Sequence, residues 1–111
     1  MSIWLTNLAD VLKKAGLPVV ELPGWKTAAY PKWGGFETAP THVMVHHTAS
    51  NPGTDPDGDI AYITQSHPLK PICQLYLSRT GTFYVIAAGR VCTNGEGSSL
   101  SWNGGVPDNQ M

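Results

Sequence analysis

The sequence predicts one α/β (α+β) domain, built as a mixed central β-sheet flanked by helices. Two observations predict this class: the chain opens with an amphipathic helical pattern, and later stretches have the alternating, β-rich content of strands. The 111 residues suffice for one domain and are too few for two. Their composition, 41% hydrophobic and 14% charged, is that of a folded chain rather than a disordered one.

The charge balance argues against two kinds of partner. Seven Lys and Arg stand against eight Asp and Glu, with no run of either sign, so neither nucleic acid nor an anionic membrane surface is expected to bind. The N-terminus lacks the basic and apolar regions of a signal peptide, and no apolar run has the length of a membrane span. We therefore expect a chain kept in the cytoplasm unless something else exports it.

The first predicted element is an amphipathic helix over residues 3–15. Ser2 is its expected cap, and Gly16 and Pro18 are its stop signals. The apolar side chains recur at three- and four-residue spacing and share one stripe, which we interpret as core packing. They are Trp4, Leu5, Leu8, Val11, Leu12 and Ala15.

A short extended piece at 19–22 leads into a loop over residues 23–40. The loop is rich in Gly, Pro and aromatic residues, a composition that disfavours a helix. Its aromatic side chains are expected to cover the core. The alternative is that they wall a cleft for the apolar faces of sugar rings.

The central strand is predicted at residues 42–47, a short apolar run that ends in two histidines. Because side chains alternate along a strand, His46 and His47 are expected on opposite faces of the sheet. On this reading Val43 and Val45 share the face of His47. Small residues, several with hydroxyl groups, follow at 48–50, so the strand would place polar side chains at its C-terminal end.

The rest of the chain alternates loops with a helix and a hairpin. After a loop at 51–58, Asp59 is expected to cap a helix over 60–66, and a hairpin follows over 72–88. Residues 89–111 have turn composition and read as a loop. Three aspartates alternate near the helix start as in a calcium loop, but the closing acidic residue is missing, so calcium is not expected.

Five blocks of the chain, in order, resemble the zinc-dependent N-acetylmuramoyl-L-alanine amidases (amidase_2). These share a fold with the peptidoglycan recognition proteins, and the likeness is strongest to endolysin amidase domains from phages of actinobacteria. The resemblance implies an amidase-like fold and zinc-dependent cleavage of the amide between N-acetylmuramic acid and L-alanine in peptidoglycan. The blocks are 8–12 with 15–17 and 23–26, then 45–49, 59–62, 78–82, and 87–90 with 93–95.

The resemblance also implies site residues. His46, the first histidine of the pair, would bind zinc, and Thr48, Arg90, Thr93 and Asn94 would lie beside the substrate groove. Many relatives place a catalytic tyrosine on the strand before the hairpin turn, where this chain has a cysteine at position 73. No catalytic residue is therefore assigned.

Family members continue with another strand, a helix, a second zinc histidine and a third ligand, whereas this chain stops at Met111. The resemblance thus covers about the N-terminal two-thirds of a catalytic domain. It implies a split enzyme, completed by a second polypeptide, that acts on peptidoglycan of a host bacterium after release from the cytoplasm. If no such polypeptide exists, self-association through an open sheet edge is expected instead. A non-catalytic peptidoglycan-binding module and an inactive remnant of an interrupted lysin gene are the alternatives.

A self-contained zinc site is disfavoured. His42 would lie roughly 13 Å from His46 along a strand that rises about 3.3 Å per residue, too far to share an ion. Cys73 and Cys92 are expected to be buried free thiols, in no recognisable ligand spacing. His47 and His67 are expected to be structural histidines with satisfied hydrogen bonds.

Overall fold

The computed structural model describes residues 2–41, 43–47 and 50–91. Its main elements in chain order are helix α1 (Leu8–Lys14), strand β1 (Val19–Glu21), helix α2 (Asp57–Ala61), strand β2 (Leu75–Leu77) and strand β3 (Phe83–Val85). Short 3-10 turns lie at Trp25–Thr27 and Pro52–Thr54, and a π-helical turn over Tyr62–Ser66 continues α2. No helix in the described ranges is long and apolar enough to cross a membrane.

The sheet is mixed and three-stranded, in the order β1-β3-β2. β1 runs parallel to β3, with Val20 opposite Tyr84, and β2 runs antiparallel to β3, with Tyr76 opposite Tyr84. The predicted hairpin is confirmed, although its strands are shorter than expected. Gly81 lies in its turn at a φ of 90°, a conformation that costs glycine little.

The core has two parts because side chains alternate along β3. Val85 packs with Ala9 of α1, with Trp25 and with Ala88. Its neighbour Ile86 belongs to a second cluster, together with Ile63 of the π-helical turn, Tyr76 of β2, and Ala87 and Val91 of the segment that follows β3. The helices thus cover the sheet from two sides, which confirms the predicted class of a mixed sheet flanked by helices.

Helix α1 is shorter than predicted at its N-terminal end. Its N-cap is Asn7 rather than Ser2. Ile3 instead exchanges backbone hydrogen bonds with Phe36, and the Leu5 N–H donates to the Ala88 carbonyl, so these residues are tied to other segments. The C-terminal end is as predicted, because Gly16 at φ 81° ends the helix.

The predicted strand at 42–47 is wrong for the residues that the structure describes there, 43–47. They form no strand, and Val43 and Val45 are 86% and 84% exposed. The third strand of the sheet is instead the extended piece at 19–21, which pairs with β3 on the side opposite β2. The expected placing of His46 and His47 on opposite faces therefore has no strand to support it.

Helix α2 starts earlier than predicted, at Asp57, and its π-helical continuation ends at Ser66 as expected. Asp59 is not its cap. The side chain lies inside the first turn and is only 7% exposed. The aromatic loop has the covering role that we favoured, since Trp25 and Phe36 are 4% and 0% exposed. The predicted loop at 89–111 lies outside the described residues beyond Val91.

Candidate functional site

The segment that carries His46 and His47 lies on the surface. Both histidines are exposed, between two exposed valines and the half-buried Ser50. His42, Thr48, Thr93 and Asn94 lie outside the described residues. Of the site residues that the sequence predicts, the structure therefore places His46 and Arg90.

A buried carboxylate, that of Asp59, lies in helix α2, nine residues after Ser50. The two carboxylate oxygens of Asp59 accept hydrogen bonds from three hydroxyl groups: Ser50 Oγ at 3.0 Å, Thr54 Oγ1 at 2.7 Å and Tyr76 Oη at 2.7 Å. Asp55 also contacts the Tyr76 hydroxyl through Oδ1. We call these five residues the carboxylate cluster.

The hydrogen bonds of Asp59 explain how a charge can be buried there. Burial by itself raises the pKa of Asp59, but the hydroxyls of Thr54, Tyr76 and Ser50, aided by the positive charge of Arg79, hold it below its ordinary value. The group therefore stays ionised at neutral pH. An isolated buried charge would be costly, whereas this one has partners on both oxygens.

The carboxylate cluster fastens residues 50–59 to the hairpin. Tyr76 belongs to β2, and Arg79 in the hairpin turn donates its backbone N–H to Asp55 Oδ2 at 3.2 Å. The Arg79 guanidinium reaches the Ser50 carbonyl at 3.4 Å. Burial, and then the two aspartates, raise the pKa of Tyr76, so its hydroxyl keeps its proton. The chain from Ser50 to Asp59 is thus anchored to the sheet.

None of the cluster residues is among the site residues predicted from sequence. The one available signal is the alternation of Asp55, Asp57 and Asp59, which the sequence analysis weighs only as a calcium loop. The partners of Asp59 come from 17 residues downstream and nine residues upstream. That separation has no sequence signature of its own.

Arg90 braces the aromatic loop. Its Nε donates to the Gly35 carbonyl and its Nη2 to the Trp33 carbonyl, both at 3.1 Å, and the guanidinium lies 5.6 Å from the Trp33 ring centre. The side chain is 11% exposed. The resemblance implies that Arg90 lies beside a substrate groove. In the structure its side chain instead contacts residues of the aromatic loop.

Replacing Arg90 by lysine is expected to lower the free energy of unfolding by about 1–2 kcal/mol, because an ammonium cannot donate in a planar fork to two carbonyls and stack on Trp33. Urea unfolding followed by tryptophan fluorescence measures the loss. The exposed Arg79 is the matched control, since Arg79→Lys keeps its charge and backbone contacts and should cost about 0.5 kcal/mol or less. Equal losses in both variants would contradict a bracing role.

Cys73 is a free thiol packed against the core cluster of Ile63 and Tyr76. Burial raises the pKa of the Cys73 thiol to about 12, so the thiolate needed for nucleophilic attack or metal binding is scarce at neutral pH. Cys73 therefore does not take over the role of the tyrosine that many amidases have at this place. Cys92 lies outside the described residues.

His67 has the structural role that the sequence predicts for it. Its Nδ1 accepts the Leu69 N–H at 3.0 Å, and the Tyr62 ring packs edge-on at 5.5 Å. His47, for which the sequence predicts the same role, is instead exposed.

The described residues do not build a complete metal site. Within 2–41, 43–47 and 50–91, no three His, Cys, Asp or Glu side chains come together as a group that could hold an ion. A hydrolytic zinc needs three protein ligands and an open position.

Comparisons of the chain with protein-family models, with curated proteins and with solved structures gave no match.

Proposed function

We propose that the chain is the histidine-bearing part of a zinc-dependent N-acetylmuramoyl-L-alanine amidase, a peptidoglycan hydrolase of the phage endolysin type. The observation that carries the proposal is the exposed His46 in the amidase-like motif Val45–Ala49. An exposed imidazole is accessible to an ion that is shared with ligands from elsewhere. A structural histidine would instead be satisfied by neighbours, as His67 is.

In this proposal His46 supplies one imidazole, and the other ligands come from residues outside the described ranges or from a second polypeptide. Zinc bound there would activate a water molecule and polarise the scissile carbonyl as a Lewis acid. The anchored segment 50–59 would hold the histidine-bearing chain against the sheet. Thr48, Thr93 and Asn94 carry the hydroxyl and amide groups that would bind the muramyl and peptide amides.

The proposed second polypeptide has a suitable place to bind beside β2. The Ser78 N–H donates to Thr82 and the Ile86 N–H donates to Gln74, so the even-numbered residues of this segment bond to β3. The backbone groups of Leu75 and Leu77 consequently point the other way, where no strand in the described part of the chain lies. Leu77 is also 55% exposed. A partner strand added at this edge would complete the sheet.

Zinc titration by calorimetry tests the proposal without an activity assay. The chain alone should bind zinc weakly, and mixing it with the proposed second polypeptide should tighten binding by about a hundredfold or more. His46→Ala should abolish this gain, while the matched control His47→Ala should keep most of it. Submicromolar binding by the chain alone, lost in His46→Ala, would show a self-contained site instead. Tight binding by the mixture that ignores His46→Ala would remove His46 from the site.

A further inference from the structure

The outer edge of β2 carries backbone groups that point away from β3. They are the N–H and C=O groups of Leu75 and Leu77, because Gln74 and Ser78 on either side bond toward β3. No strand in the described part of the chain pairs with this edge. The Leu77 side chain is exposed beside it.

This outward row is limited at both of its ends. The next outward group, the Arg79 N–H, already donates to Asp55 Oδ2 at 3.2 Å. Residues 71–73 before β2 form no strand. The Gln74 carbonyl accepts two successive N–H groups from the chain after β3, at 2.8 and 3.3 Å, which is the pattern of a β-bulge. An added strand can therefore pair only along 75–77.

We infer that this edge pairs antiparallel with the same edge of a second copy of the chain. In this register Leu75 lies opposite Leu77 of the second copy, Leu77 lies opposite its Leu75, and the two-fold axis passes between the two Tyr76 residues. Residues that lie opposite each other and point toward each other exchange both of their hydrogen bonds. Every outward group of the row then has a partner. A two-fold register centred on either leucine would leave some of these groups unpaired.

The composition of the two edge strands favours β2 as the contact. Residues 71–78 carry no charged side chain, whereas β1 at the other edge of the sheet carries Glu21. Glu21 accepts a hydrogen bond from Lys13 Nζ at 2.7 Å. Charged side chains on edge strands oppose edge-to-edge association, so β1 is protected against it and β2 is not.

The charges at the two ends of β2 favour the antiparallel orientation. The exposed Lys70 precedes β2. Arg79 follows β2 and lies against the segment 55–59, whose three aspartates outnumber it. Antiparallel pairing brings the positive start of each β2 toward the negative end of the other, and opposite charges across an interface favour association. Parallel pairing would instead bring like charges together.

A two-fold contact of this kind closes on itself and stops at the dimer. The paired row is short, so the dimer is expected to be weak, with a dissociation constant of roughly 0.1 mM. The proposed second polypeptide would bind the same groups of Leu75 and Leu77, so the dimer and that complex would exclude each other. This exclusion rests on the proposed function, whereas the pairing of two copies does not.

Amide hydrogen exchange of the full-length, metal-free chain, followed by NMR at about 20 µM and about 1 mM, tests the inference. The amides of Leu75 and Leu77 should exchange about threefold or more slowly at the higher concentration, whereas the Tyr76 amide, which faces β3, is the internal control and should not change. Sedimentation equilibrium over the same range should show the mean mass rising from one chain toward two.

Two results with the wild-type chain would overturn the inference. One is a chain that stays monomeric at about 1 mM. The other is protection of the Leu75 and Leu77 amides that does not depend on concentration, because another segment of the same chain would then cover the edge. A failed zinc titration would leave the inference standing, since no metal takes part in the pairing.

Two variants locate the contact. Leu77→Lys places a charge at the paired edge and should weaken the dimer by about tenfold or more. The control Val20→Lys places the same charge at an exposed position of β1 and should leave the dimer in place. If Leu77→Lys does not fold, the wild-type exchange measurement decides. A dimer that persists in folded Leu77→Lys, or that is weakened equally by Val20→Lys, would overturn the inference.

Discussion

Replacing Asp59 by alanine is expected to lower the free energy of unfolding by about 3 kcal/mol at neutral pH, because three hydroxyl groups lose a charged acceptor at once. Ser50, Thr54 and Tyr76 come from two separate segments, so the anchoring of residues 50–59 to β2 is lost together with the hydrogen bonds. Urea unfolding at pH 7, monitored by tryptophan fluorescence, measures the change.

The matched control for this variant is Asp57→Ala, two residues away on the same helix. Asp57 is exposed, so its replacement removes the same charge without removing a buried acceptor. It should change the free energy of unfolding by about 0.5 kcal/mol or less. Similar losses in the two variants would mean that the buried Asp59 contributes no more to stability than the exposed Asp57. That result would contradict the role assigned to the cluster.

Replacing Phe36 by alanine is expected to cost about 4 kcal/mol, because it empties a fully buried aromatic site. Phe36 is 0% exposed, and its backbone exchanges two hydrogen bonds with Ile3, at 2.8 and 2.7 Å, which joins the aromatic loop to the start of the chain. Thermal and urea unfolding measure the loss.

The chain offers its other phenylalanine as the control. Phe83 is half-buried on β3, so Phe83→Ala removes less apolar surface from the interior and should cost less than about 2 kcal/mol. A larger loss of stability in Phe83→Ala than in Phe36→Ala would contradict the conclusion that Phe36 makes the aromatic loop part of the core.

Local signals in the sequence predict those parts of the fold that depend on neighbouring residues. The hairpin follows from β-rich runs on either side of a tight turn with Gly81, and the end of α1 follows from Gly16. The N-terminal end of α1 is not predictable in this way. Its competing partners are Phe36 and Ala88, which lie far along the chain.

The error at 42–47 has the same origin. The alternating pattern there is typical of a strand, but the described residues 43–47 pair with neither edge strand of the sheet, β1 or β2. The sequence pattern indicates a preference for strand structure, but it does not indicate which strand the segment would pair with. Asp59 illustrates the same limit at the site, since its sequence position suggests a helix cap and its long-range hydroxyl partners decide otherwise.

The most direct test of the proposed function is the release of new N-terminal alanine amines from purified peptidoglycan. Cleavage between N-acetylmuramic acid and L-alanine frees that amine, whereas cleavage of the glycan strand frees reducing sugar ends instead. The chain mixed with zinc and the proposed second polypeptide should release alanine amines, and His46→Ala should reduce the release by about a thousandfold. Reducing ends without alanine amines, or alanine release that is unchanged in His46→Ala, would contradict the proposed function.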